Sequence, residues 1–121
     1  MTRQASGHSW EAVARDYLQT RGLRILKQRY RCRLGELDLV CSDGATIVIV
    51  EVRARKKGSL ASAIESVDRK KRRKIIMATQ HLLMCNPQWN TQPLRFDVFA
   101  VSDIDTTTPQ FQWMQNAFDA D

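Results

Sequence analysis

Gly35-Glu36-Leu37-Asp38-Leu39-Val40-Cys41, the turn signal Ser42-Asp43-Gly44, and Thr46-Ile47-Val48-Ile49-Val50-Glu51-Val52-Arg53-Ala54-Arg55 read as two strands joined by a tight connection. Alternation with period two places Glu36 and Asp38 on one face of the first strand and Leu37, Leu39 and Cys41 on the other. In the second strand Ile47, Ile49, Glu51, Arg53 and Arg55 share a face, and Val48, Val50, Val52 and Ala54 fill the opposite one. An ionised carboxylate at the end of an Ile/Val run is costly to bury unless something compensates it. Asp38 and Glu51 fall on neighbouring strands, so the compensation comes either from a divalent cation or from the arginines nearby.

Outward from this hairpin the chain alternates between two periods. Residues 9–21 carry Trp10, Val13, Ala14, Tyr17 and Leu18 at helical spacing, with Ser9 as N-cap and Gly22 closing the end. Glu11 lies at the border of that apolar stripe, a placement equally expected of an acid in a helix first turn. Strands are predicted at 24–33, 35–42 and 46–55, sequential and antiparallel. A helical pattern covers 61–85, interrupted near Ser66 and stopped by Asn86-Pro87. Alternation returns over 95–101 and again over 111–118, around Trp113. With no repeat and no linker, residues 1–121 form one domain. The order α-β-β-β-α-β-β predicts an α/β architecture, a mixed sheet flanked by helices.

Charge is unevenly distributed. Residues 1–74 hold 18 Lys and Arg against 8 Asp and Glu, whereas residues 75–121 hold one Arg against five Asp. A basic half of this kind suits a polyanion, most simply nucleic acid, bound through phosphates. On a regular strand Lys27, Arg29, Arg31 and Arg33 project from one side, with Leu26, Tyr30 and Cys32 toward the core. Arg69-Lys70-Lys71-Arg72-Arg73-Lys74 opens the second helical pattern with six consecutive cations. Arg55, Lys56, Lys57, Lys70 and Arg73 complete the predicted nucleic-acid surface.

Other chemistries lack their signatures. Cys32, Cys41 and Cys85 show no CxxC pairing, and Cys32 and Cys41 fall at core positions. His8 and His81 are too few for a zinc site, and there is no phosphate-binding glycine loop or nucleophile elbow. Trp10 reads as core and Trp89 as a loop anchor. The first residues carry no apolar stretch, and no segment approaches a membrane span, so a cytoplasmic location is expected.

An acid, a hairpin and then acid-x-base is the layout of the PD-(D/E)xK nucleases. The chain more closely resembles the YraN-type family, relatives of archaeal Holliday junction resolvases with a restriction-endonuclease-like fold. The resemblance rests on Glu11 with Ala14, Tyr17 and Leu18; Gly22; Gly35 to Val40; Val50 to Arg55; Lys70; and Arg95-Phe96-Asp97-Val98. It implies a metal-dependent endonuclease acting on structured or branched DNA, with Asp38, Glu51 and Glu11 as ligands of Mg²⁺ or Mn²⁺. It also implies Arg53 beside the attacked phosphate, and a second copy of the chain is a candidate partner. Arg53 departs from the usual lysine: it can clamp a phosphate but cannot accept a proton. Either the metal alone activates water, or another lysine such as Lys70 reaches in, or the site only binds nucleic acid.

Overall fold

A computed structural model describes residues 5–120, with side chains from Trp10 onward. Helix α1 spans Ala5–Thr20, followed by strands β1 (Arg24–Cys32), β2 (Gly35–Asp43) and β3 (Thr46–Ala54). Helices α2 (Leu60–Glu65) and α3 (Arg69–Cys85) precede β4 (Leu94–Ser102) and β5 (Gln110–Phe118). The sheet has five strands in the order β1-β2-β3-β4-β5. Every neighbouring pair is antiparallel except β3 and β4, which run parallel because the chain crosses over through α2 and α3 between them. The α/β class and element order expected from the sequence are present.

Two apolar layers hold the helices to the sheet. Ala14 and Leu18 of α1 pack on Leu39, Cys41, Val48, Val50, Phe99 and Val101. On the opposite face Ile75, Ala78 and Leu82 of α3 pack on Val40, Ile47, Ile49, Phe96 and Val98. The strands between them are buried on both sides, which accounts for the unbroken Ile/Val run of β3.

Two local readings are corrected. Helix α1 begins at Ala5, so Ser9 lies inside it and does not cap it. The interruption expected near Ser66 is present and divides 61–85 into two helices with separate caps, Ser59 accepting from the Ser62 N–H at 3.0 Å and Asp68 from the Lys71 N–H at 2.9 Å. The second correction concerns β1. A bulge at Leu26 and a left-handed Arg29 (φ 50°) break its alternation. Lys27 sits opposite Val40, a residue of the α3-side core, whereas Arg31 pairs with Glu36 at 3.4 Å. Four cations therefore do not form one row: Lys27 is separated from Arg29 and Arg31, and Glu36 relieves part of their repulsion.

Candidate active site

The β2–β3 ladder runs from the Asp43–Thr46 pair to Leu39–Val50 and stops there. The next residues on the two strands are Asp38 and Glu51. Beyond the last rung the strands splay, and the Val52 N–H donates to Asp38 Oδ2 at 2.8 Å in place of a ladder carbonyl. The alternation of β2 breaks at the same point, since Leu37 packs in the α3-side core and Leu39 in the α1-side core. Side chains from both faces thus meet at one opening. It is lined by Asp38, Glu51, Glu36 and Glu11, by Trp10 and Ile104, and by Arg53, Arg55, Lys56 and Lys71. The cleft has a volume of about 520 Å³.

Glu51 is only 3% exposed. Lys71 of α3 pairs with its Oε2 at 3.3 Å, while Oε1 is buried with no hydrogen-bond partner. Burial, and then the adjacent Asp38 charge, push the Glu51 carboxyl up to about 8, against the opposing pull of Lys71. Asp38 is also raised by burial, opposed by the Val52 N–H and the Lys71 charge. Glu11 reaches the site from α1 and is pushed up to about 7, first by burial and then by Asp38, with Arg29 and Arg31 pulling it down. These carboxyls share one electrostatic environment. Among the described residues, however, no three acid, histidine or cysteine side chains converge closely enough to form a metal cage. Asp38 and Glu51 form the centre, and Glu11 stands at its edge.

Among the described residues Arg53 and Arg55 make no ion pair with either acid, although the Arg53 charge, like Lys71, pulls the Glu51 carboxyl down. The Arg53 guanidinium is anchored instead at the C-terminal end of α2, Nε donating to Ser66 Oγ at 2.9 Å. That anchor leaves Arg53 lining the cleft in a fixed position. The cation beside the acids is Lys71, which the sequence reading passed over in favour of Lys70. Lys70 is exposed and lies outside the cleft lining. The signal was the phase of α3: its buried residues Ile75, Ala78 and Leu82 continue backward by one turn to Lys71. Gly35 assists, because a Cβ there would meet the Lys74 carbonyl oxygen at 3.0 Å. Its absence lets β2 approach α3 closely.

The remaining predicted phosphate contacts are scattered around the cleft. Arg29 and Arg31 flank Glu11 and Glu36; Lys57 is exposed beyond Lys56 beside Asp103 and Asp105; Arg33 is exposed in the β1–β2 turn. Arg73 faces a separate groove of about 810 Å³ with Arg69, Arg72 and Phe118, where the Arg72 guanidinium lies 5.1 Å from the Phe118 ring centre. Trp10, read as core, packs partly buried against the α1-side core and also lines the cleft.

The model of Uncharacterised protein family UPF0102 matches residues 10–101, which span every element from α1 to β4. The chain belongs to this family. A UPF0102 protein of Ectopseudomonas mendocina is 47% identical over 114 residues, covering 94% of both chains. One from Pseudomonas fluorescens strain Pf0-1 is 47% identical over 115 residues, 95% of this chain and 93% of the relative. One from Pseudomonas aeruginosa is 42% identical over 115 residues, 94% of this chain and 92% of the relative. The family match takes in every residue of the cleft lining except Ile104. Among the described residues no helix is long and apolar enough to cross a membrane.

Proposed function

We propose that the chain is a metal-dependent nuclease, a phosphodiester hydrolase acting on DNA. The observation that carries this reading is the buried, unpartnered Glu51 Oε1 beside Asp38, at the base of a cleft rimmed with cations. Folding buries two acids side by side, where ionising both works against burial and mutual repulsion, an arrangement that stability alone disfavours. The donor set fits a hard divalent ion such as Mg²⁺ or Mn²⁺, which takes oxygen ligands and is held by one or two carboxylates together with water and substrate phosphate. Asp38 and Glu51 would hold it, with Glu11 at the margin. Such an ion would supply charge neutralisation on the phosphate and acidification of water.

The chain's own side chains divide the rest of the work. Arg53, fixed by Ser66, presents a permanently charged guanidinium to a phosphate oxygen and orients it. Lys71 balances Glu51 in the free protein and stands ready to turn its ammonium to the phosphate once that charge is met otherwise. Because Arg53 cannot take up a proton, water activation does not depend on it. Arg55 and Lys56 extend the rim along the path of the backbone.

A second reading, a binding module that keeps the fold without cleaving, draws support from the Lys71–Glu51 ion pair, which already offsets one acid. Purified protein with Mg²⁺ or Mn²⁺ on single-stranded, duplex, flap and four-way DNA separates the two. The nuclease reading expects cleavage that Asp38→Ala abolishes. Salt-sensitive binding with no cleavage of any substrate leaves the binding module.

A further inference from the structure

We infer that Trp10 is a base-stacking wall that selects an unpaired DNA strand for the cleft. The inference rests on the proposed function and names its substrate class. The cleft lining mixes cations with apolar side chains: Arg53, Arg55, Lys56 and Lys71 share it with Trp10 of α1 and with Ile104, whose N–H donates to the Arg55 carbonyl at 3.3 Å. A nucleotide carries the same two chemistries, a charged phosphate at one end and a flat apolar base at the other.

A volume of about 520 Å³ is that of a small-molecule pocket and gives room at the acids for one nucleotide. Stacking on Trp10 also requires a base with a free face, and in a duplex the neighbours above and below cover both faces of each internal base. A single strand offers that face at every residue, and aromatic side chains use it without regard to sequence.

A second observation lies beside the first. Phe111, at the start of β5, is 48% exposed. Its ring centre is 6.1 Å from that of Trp10, so the apolar wall continues past the mouth of the cleft toward where a neighbouring base would lie. Phe99 supports Phe111 from below at 6.0 Å, which fixes the ring without covering it.

The test is equilibrium binding of a fluorescein-labelled oligo(dT) of about 12 nucleotides, within the span such proteins occupy. A blunt duplex of equal length serves as comparison. Both are measured in Ca²⁺ at low salt, with strand integrity checked on a gel. Trp10→Leu keeps apolar bulk and removes the aromatic face; it should lose about tenfold in affinity for the single strand and less than about twofold for the duplex. Trp10→Phe should keep most of the single-strand affinity. As a second readout, the fluorescence difference between the parent and Trp10→Phe, which belongs to Trp10, should be quenched by oligo(dT) and not by the duplex. Equal loss on both ligands, or no loss and no quenching on the single strand, overturns the inference. A parent that binds only duplex overturns the inference and leaves the proposed function standing; one that binds neither removes both.

Discussion

Replacing the buried Glu51 by glutamine should stabilise the metal-free protein, and by an amount that depends on pH. The folded chain holds the Glu51 proton up to about pH 8, from an ordinary value of 4.5. The unfolded chain releases that proton first as pH rises, so between these values it binds fewer protons than the folded one and stability falls. Each unit is worth about 1.4 kcal/mol, which puts the accumulated penalty near pH 8 at about 4 kcal/mol. Below the ordinary carboxyl range the penalty is absent. Glutamine has nearly the shape of the protonated acid and carries no charge, so it avoids the penalty at every pH. Part of the gain is lost because Lys71 no longer has an ionic partner, though at 35% exposure its ammonium can turn to water.

The expected net gain at pH 8 is about 2–3 kcal/mol, or a melting temperature higher by about 10 °C in a domain of this size. At pH 5 the two proteins should melt within a degree or two. Paired thermal scans in chelator across that range measure it. A glutamine variant that melts below the parent at pH 8, or a difference that does not change with pH, would refute the argument that uncompensated charge accumulates at this site. Adding Mn²⁺ should close the gap between the pair: an ion present at a hundredfold its dissociation constant contributes about 2.7 kcal/mol, about equal to the advantage of the glutamine variant, and only the parent keeps both carboxylates to receive it.

Lys71→Met removes the cation that opposes burial of Glu51; at pH 8 its melting temperature should fall by several degrees, with little change at pH 5, and any cleavage should drop about a hundredfold. Asp97→Asn should be the most damaging single change away from the cleft. Asp97 is fully buried and accepts from Arg95 Nε at 3.1 Å, Trp113 Nε1 at 2.9 Å and the Asn116 N–H at 3.0 Å. Loss of that charge leaves Arg95 with Asp43 as its one remaining ionic partner, at 3.2 Å, and should cost about 3 kcal/mol, which circular dichroism melting would register as a fall of about 10 °C. Charge reversal at Arg29 and Arg31 together should weaken DNA binding and flatten its salt dependence by about two units of log–log slope; an unchanged slope would place the phosphate path elsewhere.

The hairpin, the stripe of α1 and the order of elements were legible because they depend on regular periods. What escaped the sequence reading lies where the periods fail. The grouping of Lys27 with Arg29 and Arg31 assumed an unbroken strand, and neither the bulge at Leu26 nor the left-handed Arg29 carries a glycine or proline to mark it. The same assumption placed Leu37 and Leu39 together, although they end in different cores. Asp38 and Glu51 were found because a charge in an apolar run is conspicuous whatever the geometry. Lys71 was hidden by its neighbours: in a run of six cations no residue type stands out, and only the phase of Ile75, Ala78 and Leu82 distinguishes it. Trp10 suits a core position by composition, and only the splay of β2 from β3 reveals that a cleft opens beside it.

The cation run at the start of α3 bears on why the site has its present form. A helix carries partial positive charge at its N-terminus, and acids there are favourable while cations are not. Helix α3 has no acid in its first turn and begins with six Lys and Arg, with the Asp68 cap as the immediate local relief. Placed in the last turn, the same residues would favour the helix. Two features that folding alone disfavours, buried carboxylates at a strand splay and cations on a helix N-terminus, therefore meet at the Lys71–Glu51 contact. Each partly relieves the other in the free protein. Neither is fully relieved, because Glu51 Oε1 lacks a hydrogen-bond partner and most of the cation run stays in solvent. A divalent ion on the acids and a phosphate chain on the cations would answer both deficits at once, so substrate and metal should bind with positive coupling: each makes the other's side of the ion pair available.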